Sequence, residues 1–176
     1  GLIIGVFVYR DIRLRDLGPL LAETVEVTAV PVYILAAASV FGFALTINGF
    51  GFLVGDALQG VTTSPIILLL IVVAILMVVG LFVEGTAALL IFVPVFMPLV
   101  QLYGLDQLQF ALIVIVTILI GTVTPPVGLQ LYIASSIARV SINKVTVWPF
   151  VGVMLAVVFL MVFFPPVVTL LPSLIY

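Results

Sequence analysis

Residues 121–128 read Gly-Thr-Val-Thr-Pro-Pro-Val-Gly and lie in a stretch with no charged side chain between Asp106 and Arg139. Pro125 and Pro126 carry no backbone donor, and a proline pushes the residue before it away from the α conformation. Thr124 is therefore expected to be extended, and nearby carbonyls to lose their helical partners. Hydrocarbon cannot hydrogen-bond the backbone, so a break at membrane depth persists only where the freed groups are buried in protein or line a cavity. The loosened backbone at Gly121, Val123 and Thr124, with the hydroxyls of Thr122 and Thr124, gives an uncharged, oxygen-rich lining suited to a hard monovalent cation such as Na⁺. A proline kink whose Thr hydroxyls satisfy local carbonyls is the plainer reading. The glycines at both ends, Gly121 and Gly128, weigh toward a site.

The second constellation is Glu84-Gly85-Thr86, in which Glu84 is the only acidic or basic side chain between Asp56 and Asp106. An acid deep in a membrane segment is costly unless protonated or paired, which marks it as a functional candidate. It also suits a cap, accepting from the N–H groups of Ala87 or Ala88 at a helix start. The two roles are compatible. Ser135, Ser136, Thr117 and Gln130 rank lower, because hydroxyls and amides are common in membrane helix packing.

These motifs sit in a chain that is 65% hydrophobic and 7% charged, with a mean hydropathy of +1.57. That composition leaves too little polar surface for a water-soluble globule and specifies an all-α integral membrane protein. The net charge of −2 rests on five basic and seven acidic residues and gives no support for nucleic-acid binding. With no Cys and no His there are no disulfides, no thiolate or imidazole metal sites and no Cys/His nucleophile pair. No phosphate loop, metalloprotease motif or catalytic Ser pair is present, so an enzyme is not expected.

Charge sets the topology. Arg10, Arg13 and Arg15 form one basic loop, Arg139 and Lys144 another, and both are expected in the cytoplasm, with Asp56, Asp106 and Tyr176 on the opposite side. Residues 1–16 read as the end of a preceding helix and a loop, the chain opening as a fragment of a longer protein. Residues 17–63 read as an arm helix, kinked at Pro31, with an irregular glycine-rich connector from Asn48 to Ser64. Pro65 suits the first turn of the next helix. Residues 64–104 fit either two crossings or a re-entrant hairpin with its tip at Glu84, the second arm being short, about 16 residues, and broken by Pro94 and Pro98. The hairpin is favoured, because the turn has no Lys or Arg to hold it in the cytoplasm. Residues 105–140 read as one crossing broken in its middle, since two crossings would put Arg139 and Lys144 outside. Residues 141–176 read as a terminal spanning helix, Val147 to Leu171, with Trp148 and Tyr176 as interfacial anchors and Pro165-Pro166 ending or kinking it.

The runs Gly80-Leu-Phe-Val-Glu-Gly-Thr-Ala-Ala-Leu-Leu-Ile-Phe-Val-Pro (80–94) and Gly-Thr-Val-Thr-Pro-Pro-Val-Gly-Leu-Gln-Leu-Tyr-Ile-Ala-Ser-Ser-Ile-Ala (121–138) resemble the large membrane subunit of the tripartite ATP-independent periplasmic (TRAP) transporters. The Tyr9-Arg10-Asp11 loop and Ala36-Ala37-Ala38-Ser39 extend the resemblance over nearly the whole chain. The family often has Asp where this chain has Glu84, one methylene longer. The resemblance implies the second inverted repeat of an elevator-type secondary transporter: arm helix, re-entrant hairpin, broken transmembrane helix, terminal transmembrane helix. It further implies that Glu84, Gly85 and Thr86 meet Gly121, Thr122, Val123, Thr124, Pro125, Pro126 and Gly128 near the midplane to hold Na⁺ and substrate. Its implied cargo is an organic acid, such as a C4-dicarboxylate or sialic acid, delivered by a periplasmic binding protein with the help of a small membrane subunit, across the cytoplasmic membrane of a bacterium or archaeon. Another ion-coupled transporter with a broken-helix site, or a passive channel, is the alternative.

Overall fold

The computed structural model describes residues 16–125, 128–139 and 147–175. Pro126 of the expected site, the loop Arg10–Arg15, Lys144 and the anchor Tyr176 lie outside them. The described residues form helices α1 (Leu17–Ile47), α2 (Phe50–Gln59), α3 (Pro65–Phe82), α4 (Gly85–Leu102), α5 (Gln107–Thr122), α6 (Leu129–Ala138), α7 (Trp148–Phe163) and α8 (Pro166–Ile175). Among them α1, α3 and α4 are each long and apolar enough to cross a membrane, which with the composition makes this a multi-pass membrane protein.

The chain divides into two units at Ala37/Ala38. The described part of the first is the early course of α1, an apolar helix whose Leu21, Val25, Val27, Val30 and Tyr33 are all exposed. Pro31 lies inside α1 without ending it.

The second unit is organised around α5. Its buried face, with Phe110, Ile113, Val114, Thr117 and Ile118, is packed by α3, α4 and α7, and α2 lies along α4. Leu68, Leu76, Leu99 and Ile113 are fully enclosed. Two expectations are corrected here. The connector is helical over Phe50–Gln59, because Gly51 and Gly55 face α4 directly: a Cβ on Gly51 would lie 2.6 Å from the Val95 carbonyl oxygen. Close backbone packing of this kind offsets the poor helix propensity of glycine. Second, α4 is a continuous 18-residue helix running through Pro94 and Pro98, and α3 and α4 pack on α5 and α2 more than on each other. The interruption expected at Pro165-Pro166 is present: the last segment is two helices, α7 and α8, whose axes stand at 84° after a break at Phe164-Pro165.

The prolines leave carbonyls that other helices then meet. Pro94 has no N–H for the Leu90 oxygen four residues back, and that oxygen faces the bare Cα of Gly42, where a Cβ would approach it to 2.6 Å. Pro165 likewise deprives Met161, and Gln109 Nε2 donates to the Met161 carbonyl at 2.8 Å. Gln109 is 5% exposed, and its own N–H donates to the Asp106 side chain at 2.8 Å, which caps α5. Gln109→Leu is expected to cost about 1–3 kcal/mol, since it strands a buried carbonyl. Thermal unfolding of the purified full-length protein checks it, and an unchanged melting temperature would show that water already serves Met161. Tyr103 Oη donates to the Thr62 carbonyl at 2.8 Å, returning the end of α4 to the level where α3 begins.

Candidate functional site

The turn between α3 and α4 begins at Val83, which is extended (φ −107°, ψ 137°). Glu84 then caps α4. Its Oε2 accepts from the Ala87 N–H at 2.9 Å and its Oε1 from Thr86 Oγ1 at 3.0 Å. The cap expected from the sequence is therefore present, and it fixes the Thr86 hydroxyl as well. Glu84 and Thr86 are exposed in this chain, whereas Ala87 and Ala88 beneath them are buried.

The break after α5 is built by a tightened last turn. The Val123 N–H donates to Ile120 O at 3.2 Å and the Thr124 N–H to Gly121 O at 3.1 Å, three residues back rather than four. Proline is the reason: Pro125 has no N–H to give Gly121, so Thr124 supplies it. Thr124 Oγ1 donates to Ile120 O at 2.6 Å and Thr122 Oγ1 to Leu119 O at 2.8 Å. Both hydroxyls keep their oxygen lone pairs for a further partner. Thr122, Thr124 and Gly128 are buried, and Val123 and Pro125 half-buried.

Gly128 restarts the helix. Its φ of 52° lies in the left-handed region that glycine occupies without penalty, and its carbonyl accepts from the N–H groups of Leu131 (2.8 Å) and Tyr132 (3.2 Å). A Cβ at this position would lie 3.3 Å from Thr124 O, so the chain folds back close to that carbonyl.

The two interruptions lie side by side. A Cβ built on Gly85 would sit 3.8 Å from Thr122 Cγ2 and 3.7 Å from Ile118 Cγ2. Gly85 and Thr122 of the expected set are thus brought together, with Glu84 and Thr86 adjoining on one chain and Gly121, Val123 and Thr124 on the other. Among the described residues no hydrogen bond joins the two loops, and the Glu84 carboxylate is engaged with its own helix start. No cluster of three or more His, Cys, Asp or Glu occurs among the described residues, so the oxygen donors of this region are hydroxyls, carbonyls and one carboxylate. Thr117, ranked low from sequence, is fully buried, and its hydroxyl has no partner among the described residues. Its burial was not readable from type, because Thr in a membrane helix usually bonds its own backbone.

A family model for the tripartite ATP-independent periplasmic transporter, DctM component, matches residues 1–167. The chain belongs to the DctM family. It is 34% identical over 95% of its length to the isethionate TRAP transporter permease protein DctMQ of Oleidesulfovibrio alaskensis, covering 27% of that protein. It is 34% identical over 97% of its length to the C4-dicarboxylate TRAP transporter large permease protein DctM of Rhodobacter capsulatus, covering 39% of it. The sialic acid TRAP transporter large permease protein SiaM of Vibrio cholerae is 31% identical over 99% of the chain, with 41% of its own length covered. This DctM chain therefore spans about two-fifths or less of these relatives. They are transport permeases rather than enzymes, and the cargo in their names differs from one to the next. No solved structure matches the chain.

Proposed function

We propose that this chain forms part of the large permease of a Na⁺-coupled TRAP transporter that imports an organic acid across the cytoplasmic membrane of a bacterium or archaeon. In this reading the acid is handed over by a periplasmic binding protein, and a small membrane subunit completes the assembly. The Arg139 end faces the cytoplasm and Asp106 the periplasm, as the basic residues favour. The arrangement fits the second repeat of an elevator-type carrier.

The observation that carries the reading is the apposition of Gly85 and Thr122, which stacks two helix interruptions against each other. Interrupted helices expose carbonyls and helix ends to a ligand, and a hard cation selects such oxygen donors. The cation candidates are the Thr86 and Thr124 hydroxyls and the backbone at Gly121 and Val123. In the structure the Thr124 N–H donates to the Gly121 oxygen and the Val123 N–H is shared between the Gly121 and Ile120 oxygens. Gly128 and Pro125 bound the loop.

The test is uptake of radiolabelled succinate, sialic acid and isethionate into proteoliposomes holding the full transporter and its binding protein, with Na⁺ varied against choline. Thr124→Val keeps shape and deletes one oxygen, so it is expected to raise the Na⁺ requirement about ten-fold with expression retained. Uptake indifferent to Na⁺ would refute the coupling, and normal Na⁺ dependence in Thr124→Val would reduce the break to a packing kink.

A further inference from the structure

Four residues before Glu84 and three before Thr124, α3 and α5 touch through bare backbone. A Cβ on Gly121 would lie 2.6 Å from Gly80 Cα and 3.1 Å from Met77 O. A Cβ on Gly80 would lie 2.8 Å from Ile118 O and 3.0 Å from Gly121 Cα. Neither position admits even alanine unless a backbone moves, because the opposing atoms are main chain on both sides. Both glycines are buried.

The height of this crossing along the helices is the informative point. Gly85, just past the turn, rests on the Ile118 and Thr122 side chains of the same helix that carries Gly121. The fully buried hydroxyl of Thr117, without a partner among the described residues, lies one turn from Gly121 on the same face of α5. Backbone contact, buried hydroxyl and both interruptions are thus stacked within about two helical turns.

We propose that Gly80 and Gly121 are positioning residues, whose crossing holds the Glu84 turn in register with the Thr-Pro-Pro break and so sets the spacing of the oxygen donors that take the coupling cation. The inference rests on the Na⁺ reading above. A cation site tolerates little change in ligand spacing, and a methyl inserted between the two backbones must separate them just beneath the site. Elsewhere in the molecule the same steric insult acts on stability alone. Gly51 is the matched control, since a Cβ there meets Val95 O at 2.6 Å and the Pro98 ring at 2.9 Å, on helices α2 and α4.

The experiment measures binding of radiolabelled Na⁺ to the purified full-length permease, with choline holding ionic strength constant, alongside the melting temperature. Gly80→Ala is expected to weaken Na⁺ binding about ten-fold or more, and Gly51→Ala to lower the melting temperature with Na⁺ affinity unchanged. Equal Na⁺ affinity in Gly80→Ala and the unmodified protein overturns the proposal. So does an equal loss in both variants, which would reveal a general softening. If Gly80→Ala does not fold, a Gly85→Cys/Thr122→Cys pair decides on a background without other cysteines. A fixed register predicts rapid oxidation to a disulfide at a rate indifferent to Na⁺, and slow or Na⁺-dependent cross-linking overturns it. If the unmodified protein binds no Na⁺, the coupling reading fails first, and the register is still judged by the cross-link.

Discussion

Gly42→Val is expected to abolish most of the yield of folded protein, with a loss of about 3 kcal/mol or more in whatever survives. The Leu90 oxygen would stand 2.6 Å from the new Cβ, and it belongs to the backbone of α4, so no rotamer change relieves the clash. Valine adds two methyls beyond that Cβ. Moving α4 away also strands an oxygen that Pro94 has already deprived of its helical donor. Gly152→Ala is the control. Nothing lies within 4 Å of a Cβ there, so alanine is expected to be neutral or to stabilise α7 by up to about 1 kcal/mol. Melting temperatures of the two purified variants decide the matter, and equal values would mean that α1 and α4 are not held together at Gly42.

Glu84→Ala is expected to remove most Na⁺-driven uptake, while Glu84→Asp retains it. The carboxylate holds the Ala87 N–H and the Thr86 hydroxyl at once, so alanine frees both ends of the turn. Loss of the cap alone is worth about 1 kcal/mol, too little to unfold the protein. A transport defect much larger than the stability defect would therefore report the turn's place in the site. Glu84→Gln separates the parts, because its amide oxygen can cap while the charge is gone. Unchanged uptake and Na⁺ dependence in Glu84→Ala would leave Glu84 neither ligand nor essential cap.

Much of this was legible in the sequence where one local rule acts alone. Pro65 opens α3 because a first-turn proline forfeits nothing. The Thr-Pro-Pro break ends α5, because a proline withholds the donor that would continue the helix. Glu84 was readable as a cap from its spacing to Ala87. What escaped depended on partners distant in sequence. The glycines of α2 looked like loop because their benefit lies in the approach of α4, which no local pattern records. Pro94 and Pro98 looked like breakers because the contact at Gly42 that serves Leu90 lies about fifty residues upstream. The apposition of Gly85 and Thr122 could be expected only through family resemblance, since nothing in either motif names the other.

The bond from Gln109 to Met161 also bears on the order in which the protein can be made. Its partners are 52 residues apart, so donor and acceptor leave the ribosome separated by about 3–10 s at synthesis rates of about 5–20 residues per second. During that interval the Gln109 amide near the start of α5 has no Met161 carbonyl to serve. Only when the chain as far as Pro165 has emerged can α7 dock and take the donor. The start of α5 is therefore a seat prepared in advance for a helix that arrives late.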